Sequence, residues 1–265
     1  MAKAGARKPL DAVEEEARQI IEVNLAVSVV QHDDNSRSSM PDLRIAYPDR
    51  PHGVVEVVRD IMEKRAKQRG ALERKGDELT VPGLTWSWGV QLTPSASVRA
   101  VRQALPELLH EAETGGRSTV EALPWSELDP LAFKLFELKV RMLHRLSLSE
   151  SGSVMLMAPN SFSWNGDSEI IVGWCEALLL QEDDVPAKLA ASGFAERHAY
   201  LVPTMEGDLA IYRAMFTAPP GGDGPPVMPT RIPVLPDGVD QVWVRGLDRA
   251  IRWSEATGWV QVAKI

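Results

Sequence analysis

Apolar positions along the chain follow two periods, and the period changes mark the predicted elements. Val13, Ala17, Ile20 and Ile21 recur at three- and four-residue spacing, which predicts a helix over residues 11–25. Asp11 can cap it, and Glu14, Glu15 and Glu16 favour its N-terminal dipole. Ala26–Val30 reads as a short apolar strand, and 31–39 as a polar loop holding His32, Asp33 and Asp34. Two apolar segments follow, one opening at Asp42 and one centred on Val54–Val58, joined by the turn chemistry of Pro48–Gly53. Residues 60–75 predict a helix. Trp86, Trp88, Val90 and Leu92 alternate with small or polar residues, the period of a half-buried strand. A helix over 95–115 starts at Ser95 or Ser97, should kink at Pro106 and stops at Gly115-Gly116.

The second half reads as an antiparallel strand pair over 133–147 and 153–158, helices over 167–181 and 185–195, and a strand entered through Glu196-Arg197-His198. Residues 218–238 are rich in Pro and Gly and read as a loop. Strands around Trp243, Trp253 and Trp259 close the chain. Residues 1–10 read as a loose tail.

The 265 residues suffice for a large core, with 44% hydrophobic and 25% charged content. No apolar run reaches the roughly 18 residues of a membrane span, so no membrane partner is expected. The N-terminal stretch lacks the apolar centre of a secretory signal, and one cysteine, Cys175, cannot form an internal disulfide. A cytoplasmic location is expected. The net charge of −8 argues against broad duplex binding, which needs phosphate neutralisation. The segment Arg59–Lys75 is a local exception, with seven Lys and Arg residues. It is either a nucleic-acid contact or a solvated helix face. No GxxxxGK loop, HExxH pair, GxGxxG turn or GxSxG elbow occurs.

The candidate chemistry lies in Met40–Asp60. Glu56 sits among four valines, Val54, Val55, Val57 and Val58. An unpaired buried carboxylate costs several kcal/mol, on the order of the penalty for an isolated buried ion. A cation must therefore compensate: a side chain, or a divalent metal shared with Asp42, since hard cations prefer carboxylate oxygens. Period-two alternation puts Asp42, Arg44 and Ala46 on one face, and Val54, Glu56 and Val58 on one face.

Pro41-Asp42 followed by Glu56-Val57-Val58 resembles the PD-(D/E)XK, or restriction-endonuclease-like, nuclease superfamily, whose pattern is Pro-Asp on one strand and Glu-x-Lys on the next. The resemblance implies an α/β fold: a restriction-endonuclease-like three-layer core over residues 11–115, with an α+β extension over 116–265. It implies metal-dependent phosphodiester hydrolysis. Asp42, Glu56 and the Val57 carbonyl would hold Mg²⁺ or Mn²⁺, and Glu16, with Glu14 in reserve, would supply a carboxylate from the preceding helix. Val58 stands where that pattern has lysine. Arg44 is the candidate for the lysine's catalytic role, with Lys64 or Lys67 as further candidates. Two other readings stay open: a nuclease-fold module that binds a partner without chemistry, and an unrelated α/β domain in which Arg44 pairs with Glu56. Glu196-Arg197-His198 reads either as a second site or as a capping and salt-bridge cluster.

Overall fold

A computed structural model describes residues 9–33, 39–125, 129–147, 151–157, 166–215, 227–247 and 249–263. The fold is mixed α/β with two mixed sheets. In the first 60 residues come α1 (Ala12–Leu25), β1 (Ser28–Gln31), β2 (Leu43–Ala46) and β3 (Gly53–Asp60). Next are α2 (Glu63–Lys75), β4 (Glu78–Thr80), β5 (Ser87–Leu92), α3 (Val98–Thr114), β6 (Thr119–Glu121), α4 (Pro130–Glu137), β7 (Val140–Leu146) and β8 (Ser153–Met157). The remainder holds α5 (Glu169–Gln181), α6 (Asp184–Ala191), β9 (Glu196–Pro203), α7 (Leu209–Ala214), β10 (Gln241–Arg245), β11 (Ala250–Ser254) and β12 (Gly258–Val262).

Two compact units result, one from residues 1–60 with 163–265, the other from 61–162. The expected division at residue 115 is corrected. Strands β4 and β5 and helix α3 belong with β6–β8, whereas β1–β3 share a sheet with β9–β12. The reason is packing: Trp88, Leu105, Leu109 and Leu143 build one core with other residues of 61–162, so the segment closes on itself.

In the discontinuous unit the sheet order is β1-β2-β3-β9-β10-β11-β12. Strands β1, β2 and β3 pair antiparallel, then β3, β9 and β10 run parallel. Because β3 is central, both its faces are covered and its run GVVEVV is buried except for part of Val57. Val55, with Leu43, Ile45 and Tyr200, packs on Ala17, Ile20 and Ile21 of α1. Val54 and Val58 pack on the opposite side with Ile171, Cys175, Leu179, Val185 and Leu189 of α5 and α6. The α1 start is as expected: Asp11 accepts from the Val13 and Glu14 amides, and Glu14 returns a bond to the Asp11 amide, a capping box. Beyond β3, Asp60 ties the strand to its neighbours, since its carboxylate accepts from Trp174 Nε1 and the Asp208 amide.

In the inserted unit the order is β4-β8-β5-β7-β6. Two expectations change here. Residues 130–137 are helical, and β7 and β8 do not pair, because β5 lies between them. That position buries Ser87 and Gly89 as well as Trp88 and Val90, so β5 is covered on both faces, not half-exposed. Helix α3 runs as one element through Pro106. Residues 218–226 of the Pro/Gly-rich 218–238 segment lie outside the described residues, as do 1–8. No helix is long and apolar enough to cross a membrane among the described residues.

Candidate functional site

Leu43 faces Val55 across the β2–β3 ladder, and Arg44 faces Val54. The next step of the same register brings Asp42 opposite Glu56, and the step after it brings Pro41 opposite Val57. Residues two apart on a strand share a face, so Glu56, like Val54, lies on the side covered by α5 and α6. The expected strand starts one residue late: β2 opens at Leu43, and Asp42 precedes it. The Asp42 carbonyl accepts from the His32 amide at 2.8 Å, and Asp42 Oδ2 accepts from the Val57 amide at 2.8 Å. The aspartate thus continues the ladder with its side chain. Pro41, which precedes it, carries no N–H. Residues of an antiparallel hydrogen-bonded pair exchange both N–H···O bonds, so Pro41 cannot donate to the Val57 carbonyl.

Glu56 is 9% exposed. Its compensating cation is Lys188 on α6, whose Nζ donates to Glu56 Oε1 at 2.7 Å. Glu56 Oε2 is buried without a hydrogen-bond partner. Burial pushes the Glu56 carboxyl up to about 7, helped by the nearby Asp42 charge and opposed by Lys188. Burial likewise raises Asp42 to about 6, against the Val57 hydrogen bond and Lys188, with the charges of Glu14 and Asp33 pushing the same way as burial. The site is therefore richer in carboxyl groups than one ammonium can neutralise.

The expected residues divide. Asp42, Glu56 and the Val57 backbone come together. Glu16 does not join them: Arg245 holds it in a two-pronged ion pair, Nε to Oε1 at 2.9 Å and Nη2 to Oε2 at 2.6 Å. Glu16 points there because it is two positions from Glu14, and neighbours two apart on a helix face different ways. Glu14, the reserve, is the α1 carboxylate whose charge reaches Asp42. Arg44 forms no ion pair with either carboxylate among the described residues, and its buried Nε lacks a partner. The cation that pairs with Glu56 is Lys188 instead. Lys64 and Lys67 lie on α2 of the inserted unit. Asp34 lies outside the described residues. No group of three or more His, Cys, Asp or Glu side chains is placed to hold a metal among the described residues.

The sequence carried a signal for Lys188 that mirrors the one for Glu56. It is a lone charge within Val185-Pro186-Ala187-Lys188-Leu189-Ala190-Ala191, where Val185 and Leu189 are buried.

Glu196-Arg197-His198 forms the first three residues of β9 and is a structural cluster. Arg197 chelates Asp240 through Nε and Nη2. Glu196 receives bonds from Tyr47 Oη at 2.6 Å and from Arg50. His198 is fully buried; its Nδ1 accepts from Trp243 Nε1 at 3.0 Å, and its Nε2 faces Glu196 Oε2 at 3.3 Å. That arrangement requires the proton on Nε2. The His198 bond, with those of Tyr47 and Arg50, holds the Glu196 carboxyl down to about 2.

The Arg59–Lys75 stretch divides between the two units. Arg59 belongs to β3 and pairs with Asp11, whereas the other cations lie on α2. On α2, Lys67 pairs with Glu63 and Arg69 with Glu73.

No protein-family model matches the chain, no curated protein matches its sequence, and no solved structure matches its fold.

Proposed function

We propose that the discontinuous unit is a restriction-endonuclease-like phosphodiester hydrolase whose site comprises Asp42, Glu56, the Val57 carbonyl and Lys188. The observation that carries the reading is the ion pair between Lys188 Nζ and Glu56 Oε1 at 2.7 Å. It returns to the carboxylate pair the ammonium that the motif lacks at Val58. The element order supports it too: without residues 61–162 the unit opens with α1, β1–β3, α5 and α6, β9 and α7, and a restriction-endonuclease-like core is expected to run helix, three strands, helix, strand, helix.

The donor set fits a small hard cation. Two carboxylates, a buried Glu56 Oε2 without a partner and a carbonyl without a ladder donor are all oxygen ligands. Mg²⁺ commonly binds one or two carboxylates and keeps several waters, so a third acidic side chain is not required. Asp42, Glu56 and the Val57 carbonyl would hold Mg²⁺ or Mn²⁺, which when bound lowers the pKa of water and offsets charge on a phosphoryl oxygen. Lys188 does the remaining work within the chain. Its ammonium has three donors and one is committed to Glu56. The others can orient a water or neutralise developing charge at a phosphate.

A second reading has its own observation. Lys188 already neutralises Glu56, so the pair can stand as a purely structural ion pair in a module that binds without chemistry. Cleavage assays separate the two. Supercoiled DNA and single-stranded RNA, with Mg²⁺ or Mn²⁺, should be cut by the wild type and at least 100-fold more slowly by folded Lys188→Met and Glu56→Gln. Equal rates in all three proteins would exclude this site from the cleavage, and no cleavage by any would support the module.

A further inference from the structure

We propose that the inserted unit carries a separate track for the sugar–phosphate backbone of nucleic acid, between α2 and the start of α3. The proposal shares only its class of macromolecule with the preceding reading and does not depend on the carboxylate site.

The charge of the chain is unevenly distributed. Residues 61–162 contain 13 Lys and Arg against 12 Asp and Glu, while the rest of the chain contains 16 against 25. The acidic total therefore belongs to the other unit and does not oppose polyanion binding here.

A groove of about 500 Å³ is lined by Lys64, Lys67, Arg74 and Lys75 of α2 and by Arg99 of α3, with no carboxylate in its wall. The α2 positions 64, 67, 68, 71, 74 and 75 follow three- and four-residue spacing, so they form one stripe along the helix. Eleven residues separate its ends, about 16 Å at 1.5 Å per residue. One nucleic-acid strand places a phosphate about every 3.4 Å of duplex axis, so the stripe spans several phosphates. Lys64, Arg74, Lys75 and Arg99 are exposed, and no ion pair engages any of them among the described residues. The only ion-paired cation in the wall is Lys67, whose partner Glu63 is 80% exposed, so solvent weakens that pair.

The floor adds independent evidence for a ligand. Gln68 is 5% exposed; its Nε2 donates to the Thr93 carbonyl, while its Oε1 is buried without a partner. An orphaned acceptor among cations calls for a ligand that carries an N–H or O–H besides its anionic groups. Nucleotides do, through sugar hydroxyls or base amines. The 17-residue helix α3 also opens on this groove, with its cap Ser97 and its first residues Val98 and Arg99 in the wall. The groove has no aromatic or long aliphatic side chain in its wall. This removes both base stacking and membrane insertion and leaves sequence-tolerant backbone contact.

The test uses the full chain in EDTA, so that any metal-dependent event elsewhere is silent. A labelled 20-nucleotide strand and its duplex are titrated by anisotropy from 50 to 200 mM KCl. Four phosphates neutralised give a slope of log K against log salt of about −3 for the single strand and about −4 for the duplex. The variant Lys64→Gln/Arg74→Gln/Arg99→Gln changes exposed side chains only, so its thermal midpoint should match the wild type. Its affinity at 50 mM KCl should fall at least tenfold and its slope to about −1. Unchanged affinity in a folded variant would overturn the proposal, as would absence of wild-type binding at 50 mM KCl. Phosphatidylserine vesicles that bind the wild type and are not displaced by the oligonucleotide would overturn it in favour of a lipid surface.

Discussion

Lys188 Nζ donates to Glu56 Oε1 at 2.7 Å, although 132 residues separate them in the chain. Both side chains are nearly buried, 16% and 11% exposed, so neither charge is easily solvated alone. Breaking such a pair on one side strands the other. Lys188→Met should therefore cost about 2–4 kcal/mol of stability at pH 8. At pH 5 the cost should fall below about 1 kcal/mol, because a Glu56 carboxyl pushed up to about 7 takes a proton instead. Urea unfolding at the two pH values checks this. A loss equal at both would mean that the methionine disturbs packing and that the charge is incidental.

The raised carboxyls fix the sign of a second pH effect. A group whose folded pKa lies above its unfolded value binds protons more tightly when folded. Its stabilising contribution is complete below the unfolded value and is lost as pH rises through the folded one. For Glu56 the window runs from about 4.5 to about 7, worth on the order of 3 kcal/mol. Glu56→Gln keeps an oxygen for Lys188 and removes the titration. The variant should match the wild type near pH 4.5 and exceed it by roughly 1–3 kcal/mol at pH 8. Denaturant midpoints across pH 4.5–8 give the comparison; a variant less stable at pH 8 would contradict the raised Glu56.

What could be read in the sequence was local, and what could not was set by distant packing. Val54–Val58 identified a buried strand, and the charge at its centre announced a partner. Asp11 and Glu14 announced the start of α1. The association of Asp42 with Glu56 rested on the Pro-Asp and Glu-x-Lys pattern, not on a register read from the chain. The partner itself was out of reach, because α6 meets β3 only after a 102-residue insertion closes on its own core. For the same reason the expected 11–115 core takes in β5 and α3, which the structure places in the inserted unit: their apolar pattern fits either unit, and only long-range pairing chooses. Glu16 was a plausible third carboxylate until Arg245, 229 residues away, engaged it.

His198 offers a separate check on the interior of the same sheet. Trp243 Nε1–H donates to its Nδ1, so the neutral Nε2–H tautomer is enforced, and burial lowers its pKa below the usual 6.5. A depressed histidine contributes stability above the unfolded pKa, and that stability is lost as pH falls below about 6.5. Nitrogen-15 spectra should show one neutral tautomer at pH 8, and it should persist to a lower pH than in an exposed histidine. Trp243→Phe removes the donor and should let both tautomers appear. A histidine already protonated at pH 6.5 would show that Glu196, not burial, dominates.

A carboxylate pair able to accept a divalent cation is central to the proposed activity. Calorimetric titration of Mn²⁺ into the full chain at pH 8, with Glu56→Gln alongside, tests it most directly. The wild type should bind with a saturable heat, and folded Glu56→Gln should give none. No heat from a folded wild type, or equal heats from both proteins, would contradict the site and leave the Lys188–Glu56 ion pair as a structural link between α6 and β3.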